Sequence, residues 1–143
     1  MTDQAPRTDV DEAAQAAAKA SFDRCCARTD FFVCFYRNFF RTCPEVEPLF
    51  ARTDFHRQMG LLRHAIGLLL IFPNQPKTEP TVLTRVADRH GRADLDISPE
   101  FYGGFVEALL QTVAEHDPAF DDAVDAAWRK TIAPGIAYMQ ARH

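Results

Sequence analysis

Nine prolines, spread from Pro6 to Pro134, divide this sequence into segments of unequal length. Because proline removes a backbone donor and clashes with the preceding helical turn, the stretches between prolines are the candidate helices. No stretch alternates polar and apolar residues over six positions, as a half-buried strand would. The sequence therefore predicts an all-α chain with about seven helices of unequal length.

Capping residues mark where these helices begin. The expected caps are Thr8 or Asp9, Thr29 or Asp30, Thr53 or Asp54, Thr81, and Ser98 followed by Pro99. The predicted helices are residues 13–27, 31–41, 55–72, 82–91, 99–116 and 121–141, with a short piece from Pro44 to about Phe50. Within the helix at 99–116, Gly103 and Gly104 are expected to allow close packing against a neighbouring helix.

Length, charge and hydropathy exclude several classes of protein. A chain of 143 residues allows one domain. Its 16 basic and 20 acidic residues give a net charge of -4, which argues against nucleic-acid binding. The longest apolar run, residues 65–72, is far shorter than the roughly 20 residues that span a bilayer. The first 20 residues do not show the basic start and apolar stretch of a secretory signal, so we expect a cytoplasmic protein.

The four cysteines do not form a zinc site by their spacing. Cys25, Cys26, Cys34 and Cys43 contain no paired C-x-x-C units. We expect reduced thiols, with Cys34 a small buried hydrophobe among phenylalanines. A redox-sensing role is the alternative.

Three polar side chains lie on otherwise apolar helix faces. His90 shares a face with Val86, Gln58 shares one with Leu62, and Tyr36 lies among phenylalanines. Each has an ordinary interpretation as a hydrogen-bonded core residue. The combination also suits haem, because a neutral imidazole binds haem iron and Tyr and Gln donate hydrogen bonds to its ligand. Five of the twelve phenylalanines lie within residues 31–40 and could wall such a cavity.

The segment at residues 35–50 reads FYRNFFRTCPEVEPLF. It resembles the Phe-Tyr…Pro-Glu-Val…Pro-Leu-Phe run of bacterial haemoglobins and of the haemoglobin domain of flavohaemoglobins. The resemblance implies that Tyr36 is the distal hydrogen-bond donor. It also implies that Pro44 opens the short third helix and that Phe50 stacks on the haem.

A second motif, QMGLL at residues 58–62, is similar to the distal helix of bacterial globins. It implies that Gln58 is the distal polar residue and that Leu62 lies above the iron. The link from Phe50 is about two residues shorter than in flavohaemoglobins, and an ungapped alignment would give these roles to Gly60 and His64. The helical face favours Gln58 and Leu62.

The third motif, VLTRVADRH at residues 82–90, resembles the proximal helix of globins. It implies that His90 ligates the iron, with Val86 lining the haem. Tyr102, in the following helix, could hold the His90 imidazole, and Trp128 is the landmark of the last helix. No Glu in the last helix matches the flavohaemoglobin partner of the proximal histidine. Arg92 is a candidate propionate contact or a solvated loop charge.

These motifs identify a single-domain bacterial globin at residues 21–143, preceded by an alanine-rich helical extension at 1–20. The resemblance implies all-α globin architecture, one haem pocket and a pentacoordinate b-type haem that binds O2 reversibly and also CO and NO. A six-coordinate iron through His56 or His64 is the alternative. The extension could dock a second copy in a homodimer or simply pack on the surface.

The implied roles are oxygen binding, storage, transport or sensing, and NO dioxygenation, which converts NO and O2 to nitrate and would need a separate reductase. A haem-free globin-fold interaction or sensor module is the alternative from another functional class.

Overall fold

The computed structural model describes residues 11–91 and 98–142. This part of the chain is helical and contains no strand, which confirms the predicted all-α class. It has six α-helices and two 3₁₀ segments, Pro44–Phe50 and Phe72–Asn74. The α-helices are α1 Glu12–Cys26, α2 Phe31–Thr42, α3 Phe55–Ile71, α4 Thr84–His90, α5 Phe101–His116 and α6 Asp122–Ala141.

Helix α1 begins with Asp11, whose carboxylate accepts a hydrogen bond from the Ala14 amide at 2.9 Å. The caps predicted for this helix, Thr8 and Asp9, lie outside the described residues. The helix continues through residues 20 and 21, where the sequence suggested a boundary between an extension and the main domain. Its buried face packs against α6.

Two helices begin later than predicted. The amides of Phe101 and Tyr102 bond to the carbonyls of Ser98 and Pro99, three residues back, so residues 98–100 form a tight turn before α5. Ser98 is therefore not the cap of α5. Before α4, the Thr81 hydroxyl accepts a bond from the Leu83 amide at 3.2 Å, which closes a turn over residues 82–83. The short third piece is a 3₁₀ helix containing two prolines, which lack the amides that α-helical bonding needs.

The core lies between two packed pairs of helices, α2 with α5 and α1 with α6. Trp128, Phe31, Phe35, Ile66, Leu109 and Ile132 are almost fully buried there. A Cβ added at Gly104 would overlap the Cys43 sulfur, so this glycine does permit a close approach between α5 and the end of α2. Gly103 has open space instead.

A buried polar network joins α1 to the end of α5. Asp117 accepts hydrogen bonds from the Ser21 hydroxyl at 2.6 Å and from the Arg24 guanidinium at 2.6 and 2.9 Å. The Trp128 indole donates to the Ser21 oxygen at 2.9 Å. The network therefore ties three helices together through the Asp117 carboxylate and the Ser21 hydroxyl. Within residues 11–91 and 98–142, no helix combines the length and apolar character needed to cross a membrane.

Candidate functional site

Tyr36 on α2 and Gln58 on α3 form a hydrogen-bonded pair. Tyr36 is 5% exposed, and the Gln58 Nε2 donates to its hydroxyl oxygen at 3.0 Å. Burial raises the pKa of Tyr36 to about 12, against a smaller lowering effect of the Gln58 bond. The phenol is therefore protonated at neutral pH, and the bond from Gln58 occupies an oxygen lone pair rather than the hydroxyl hydrogen.

Four phenylalanine rings surround the Tyr36 ring at centroid distances of 5.1 to 5.9 Å. They are Phe35, Phe40, Phe50 and Phe55. Sequence reasoning placed Phe50 near this site and counted Phe40 among the phenylalanines that could wall a cavity, but it did not assign Phe55 to the site. The signal for Phe55 was available, because it shares the apolar face of Gln58.

The remaining side chains of α3 divide into two faces. Leu62 is buried and Gln58 is half-buried, one turn apart on the same face. Gly60 and His64, the residues of the ungapped alternative, are exposed. His56 is exposed as well.

His90 is the last residue of α4 and is half-buried. Its Nδ1 lies 2.7 Å from the Val86 carbonyl oxygen, one turn back on the same helix. A carbonyl can only accept, so Nδ1 carries the hydrogen and Nε2 of the neutral ring carries the lone pair. A backbone carbonyl at Nδ1 is a common way to orient a metal-binding imidazole.

Contacts from the end of α6 hold the short helix α4. The Tyr138 hydroxyl lies 2.8 Å from the Thr84 hydroxyl and donates to Glu79 at 2.9 Å. The Arg142 guanidinium donates to the Asp88 carboxylate at 2.8 Å. The helix that ends at His90 is thus positioned largely by partly exposed polar contacts.

Tyr102 on α5 is buried, and burial raises its pKa to about 12. Among the described residues, the partner at Nδ1 of His90 is the Val86 carbonyl, a neutral group. Arg92, the candidate propionate contact, lies outside the described residues.

The described side chains have the chemistry that haem needs. His90 presents an imidazole whose tautomer leaves Nε2 able to bind iron, and Tyr36 and Gln58 supply hydrogen-bond donors. Apolar side chains on α3, α4 and α5 are only partly buried and could cover a flat apolar group: Phe55, Met59, Val86, Phe101 and Phe105. The structure brings Tyr36, Gln58 and Phe50 together, and His90 with Val86.

This all-helical fold, with His90 at the end of a short helix and a buried Tyr36 on another, is of the globin type. The model of the globin family matches residues 33–139, and the chain belongs to that family. Globins generally carry a haem cofactor and bind small gaseous ligands such as O2.

A solved structure supports the same assignment. The crystal structure of the Pseudomonas aeruginosa PAO1 protein PA3967, described as structurally highly homologous to a human haemoglobin, is 38% identical in sequence. The match covers 90% of this chain and 97% of that chain, with a TM-score of 0.84. No curated protein sequence matches this chain.

Proposed function

We propose that this globin binds O2 reversibly at a pentacoordinate b-type haem, with His90 as the iron ligand and Tyr36 and Gln58 as donors to the bound gas. The observation that carries the proposal is the hydrogen bond between the half-buried Gln58 and the buried Tyr36, whose ring is surrounded by phenylalanines. Placing polar side chains among aromatic rings costs free energy of desolvation, and binding a polar ligand would account for their position.

Haem iron, when bound, supplies the coordination position for the gas. His90 holds the group from one side through Nε2, and its bond to the Val86 carbonyl fixes the ring orientation. A neutral carbonyl at Nδ1 leaves the imidazole less electron-rich than a carboxylate partner would. This favours reversible ligand binding over peroxidase-like chemistry.

Tyr36 and Gln58 would hold the bound gas by donating hydrogen bonds. The Tyr36 hydroxyl hydrogen is not used by its bond from Gln58, and the raised pKa keeps it in place at neutral pH. A hydrogen bond to a partly charged acceptor contributes roughly 1.5–3 kcal/mol. That would slow gas release by about one to two orders of magnitude, which suits storage or sensing better than rapid transport.

The exposure of His56 and His64 supports a pentacoordinate resting state. Both imidazoles lie off the face of α3 that carries Gln58 and the buried Leu62. Either would need a large rotation of the helix to become a sixth ligand.

NO detoxification is a second role that the same two donors would serve. It needs O2 held long enough to meet NO, which the Tyr36–Gln58 pair favours. It also needs electrons from a separate reductase.

The test is an absorption spectrum of the purified protein with haem, in ferric, reduced and reduced-plus-CO forms, with haem measured per chain. One haem per chain, a Soret band that shifts with CO and a five-coordinate reduced spectrum are expected. A six-coordinate reduced spectrum would contradict the open distal side. Absence of stoichiometric haem would overturn the proposal in favour of a haem-free interaction module.

A further inference from the structure

Three potential metal ligands meet where the start of α2 lies against the end of α5. Asp30 precedes α2, Cys34 lies in its first turn, and His116 is the last residue of α5. One ligand atom from each lies within 4.8 Å of the other two. His116 is about 21 Å further along the axis of α5 than Tyr102, and Cys34 projects from α2 about 200° around the helix from Tyr36, so this cluster lies on a different face from the candidate haem site.

We propose that Asp30, Cys34 and His116 form a zinc site that links α2 to α5. The His116 Nε2 lies 3.4 Å from Asp30 Oδ1, and the Cys34 sulfur lies 3.8 Å from Asp30 Oδ2. Ligand atoms in a tetrahedral zinc site are about 3.3–3.7 Å apart, given bonds of about 2.0–2.3 Å. These two distances involve different oxygens of Asp30, and one atom from each residue lies within 4.8 Å of the others, so side-chain rotations that move the ligand atoms by about 1 Å would bring the three groups to ligand distances.

The hydrogen bonds around His116 prepare it for this role. Its Nδ1 lies 2.8 Å from the Thr112 carbonyl oxygen and must donate to it, so Nε2 of the neutral ring points a lone pair at Asp30. A lone pair facing a carboxylate is repulsive unless a positive charge lies between them. Either a proton or a metal cation satisfies that requirement, and the nearby sulfur favours a metal that accepts thiolate.

The sulfur of Cys34 also accepts a hydrogen bond from the Arg37 guanidinium at 2.9 Å. Thiolate, imidazole and carboxylate together suit Zn²⁺. The Asp30 side chain is 60% exposed, so the fourth position opens to water and the ion can exchange.

Zinc binding displaces protons in a balanced way. The Cys34 thiol gives its proton to solvent as the sulfur–zinc bond forms, and any proton shared by His116 and Asp30 is also released. The ion would then join α2 to α5, two helices that already pack together. Because zinc would bind only the folded state, it should stabilise the folded protein by mass action.

The experiment is zinc titration calorimetry on the full-length, haem-loaded protein without a histidine tag, with bound zinc checked by elemental analysis after dialysis. We expect one Zn²⁺ per chain, proton release that depends on the buffer, and a rise in Tm of roughly 5–10 °C at zinc about 100 times above its Kd. The variants C34S, D30N and H116Q should each lose affinity by at least about 100-fold, since they remove a ligand and not merely its outer-shell partner.

Matched controls use residues of the same types outside the cluster. C26S and H56Q should bind zinc like the wild type. Asp30 is exposed, so D30N tests the site even if a buried variant fails to fold. No stoichiometric zinc in the wild type would show that His116 and Asp30 form an ion pair only, and unchanged binding by D30N and C34S would place the zinc elsewhere. Either result overturns the proposal, and neither depends on gas binding.

Discussion

His90 and His116 have the same local geometry but different surroundings. Each ends a helix, and each places Nδ1 2.7–2.8 Å from the carbonyl oxygen four residues back. His90 lies half-buried on a helix with an apolar face, whereas His116 faces Asp30 and Cys34. The local helix therefore determines that Nδ1 carries the hydrogen, and residues from distant segments determine which metal the imidazole could bind.

The two helix ends are also anchored differently. After His116, the buried Asp117 accepts hydrogen bonds from Ser21 and Arg24. The helix that ends at His90 is held by exposed contacts such as Arg142 with Asp88. The end of α5 is therefore held by buried polar contacts, whereas the described polar contacts of α4 with Arg142 are exposed.

The largest expected effect separates the two histidines. H90A should lose stoichiometric haem and the CO-induced Soret shift, because the iron loses its protein ligand. H116Q should keep both, because His116 lies at the opposite end of α5 from Tyr102. Haem content and CO difference spectra measure this, and imidazole added to H90G should partly restore the spectrum. Haem loss in H116Q with full retention in H90A would reverse the assignment.

The second effect concerns the anchored end of α5. D117N should lower the free energy of unfolding by about 2–3 kcal/mol, because it breaks a buried ion pair whose Arg24 partner is partly solvated. Chemical denaturation at pH 7 measures it, with D23N as an exposed control on α1. A cost below about 0.5 kcal/mol would mean that the network does not anchor the helix.

The same carboxylate predicts how stability depends on pH. Burial would raise the pKa of Asp117, but hydrogen bonds from Arg24, Ser21 and the Ala119 amide outweigh it and lower the pKa from 3.8 to about 2. A depressed pKa stabilises the folded state above pH 4 and loses that contribution as pH falls toward 2. The loss amounts to about 2 kcal/mol. Between pH 4 and pH 2, the free energy of unfolding of the wild type should therefore fall more steeply than that of D117N.

Much of the fold could be predicted because it depends on local rules. Proline positions and caps gave α2, α3 and α6 to within one or two residues, since these signals act over a single turn. The starts of α4 and α5 differed because Thr81 and Ser98 close tight turns instead of capping helices. Whether such a residue closes a tight turn or caps a helix depends on packing, which the spacing of residues along the sequence does not show.

The candidate site was partly predictable for the same reason. The helical wheel predicts that Gln58 lies beside Leu62 and that His56 and His64 point away. In the structure Leu62 is buried, Gln58 is half-buried, and both histidines are exposed. The hydrogen bond between Gln58 and Tyr36 required the relative placement of two helices. The Asp30–Cys34–His116 cluster was missed because its members are far apart in sequence, and a search for C-x-x-C pairs does not find it.

The third prediction concerns the hydrogen-bonded pair of Tyr36 and Gln58. Y36F should speed O2 dissociation about tenfold or more, and Q58L by a smaller factor, because Tyr36 is the more buried donor. Stopped-flow displacement of O2 by CO measures both rates. In the double variant the two effects should be less than additive, since Gln58 orients the Tyr36 hydroxyl. An unchanged rate in Y36F would remove Tyr36 from the proposal.

The smallest expected effect tests the more weakly held end of α4. R142A removes a 2.8 Å ion pair with Asp88, whose side chain is 59% exposed. Exposed pairs contribute about 0–1 kcal/mol, so Tm should fall by less than about 4 °C, and the difference should shrink in 1 M salt. Differential scanning calorimetry at two salt concentrations measures it. A cost in R142A larger than that in D117N would contradict the contrast between the two helix ends.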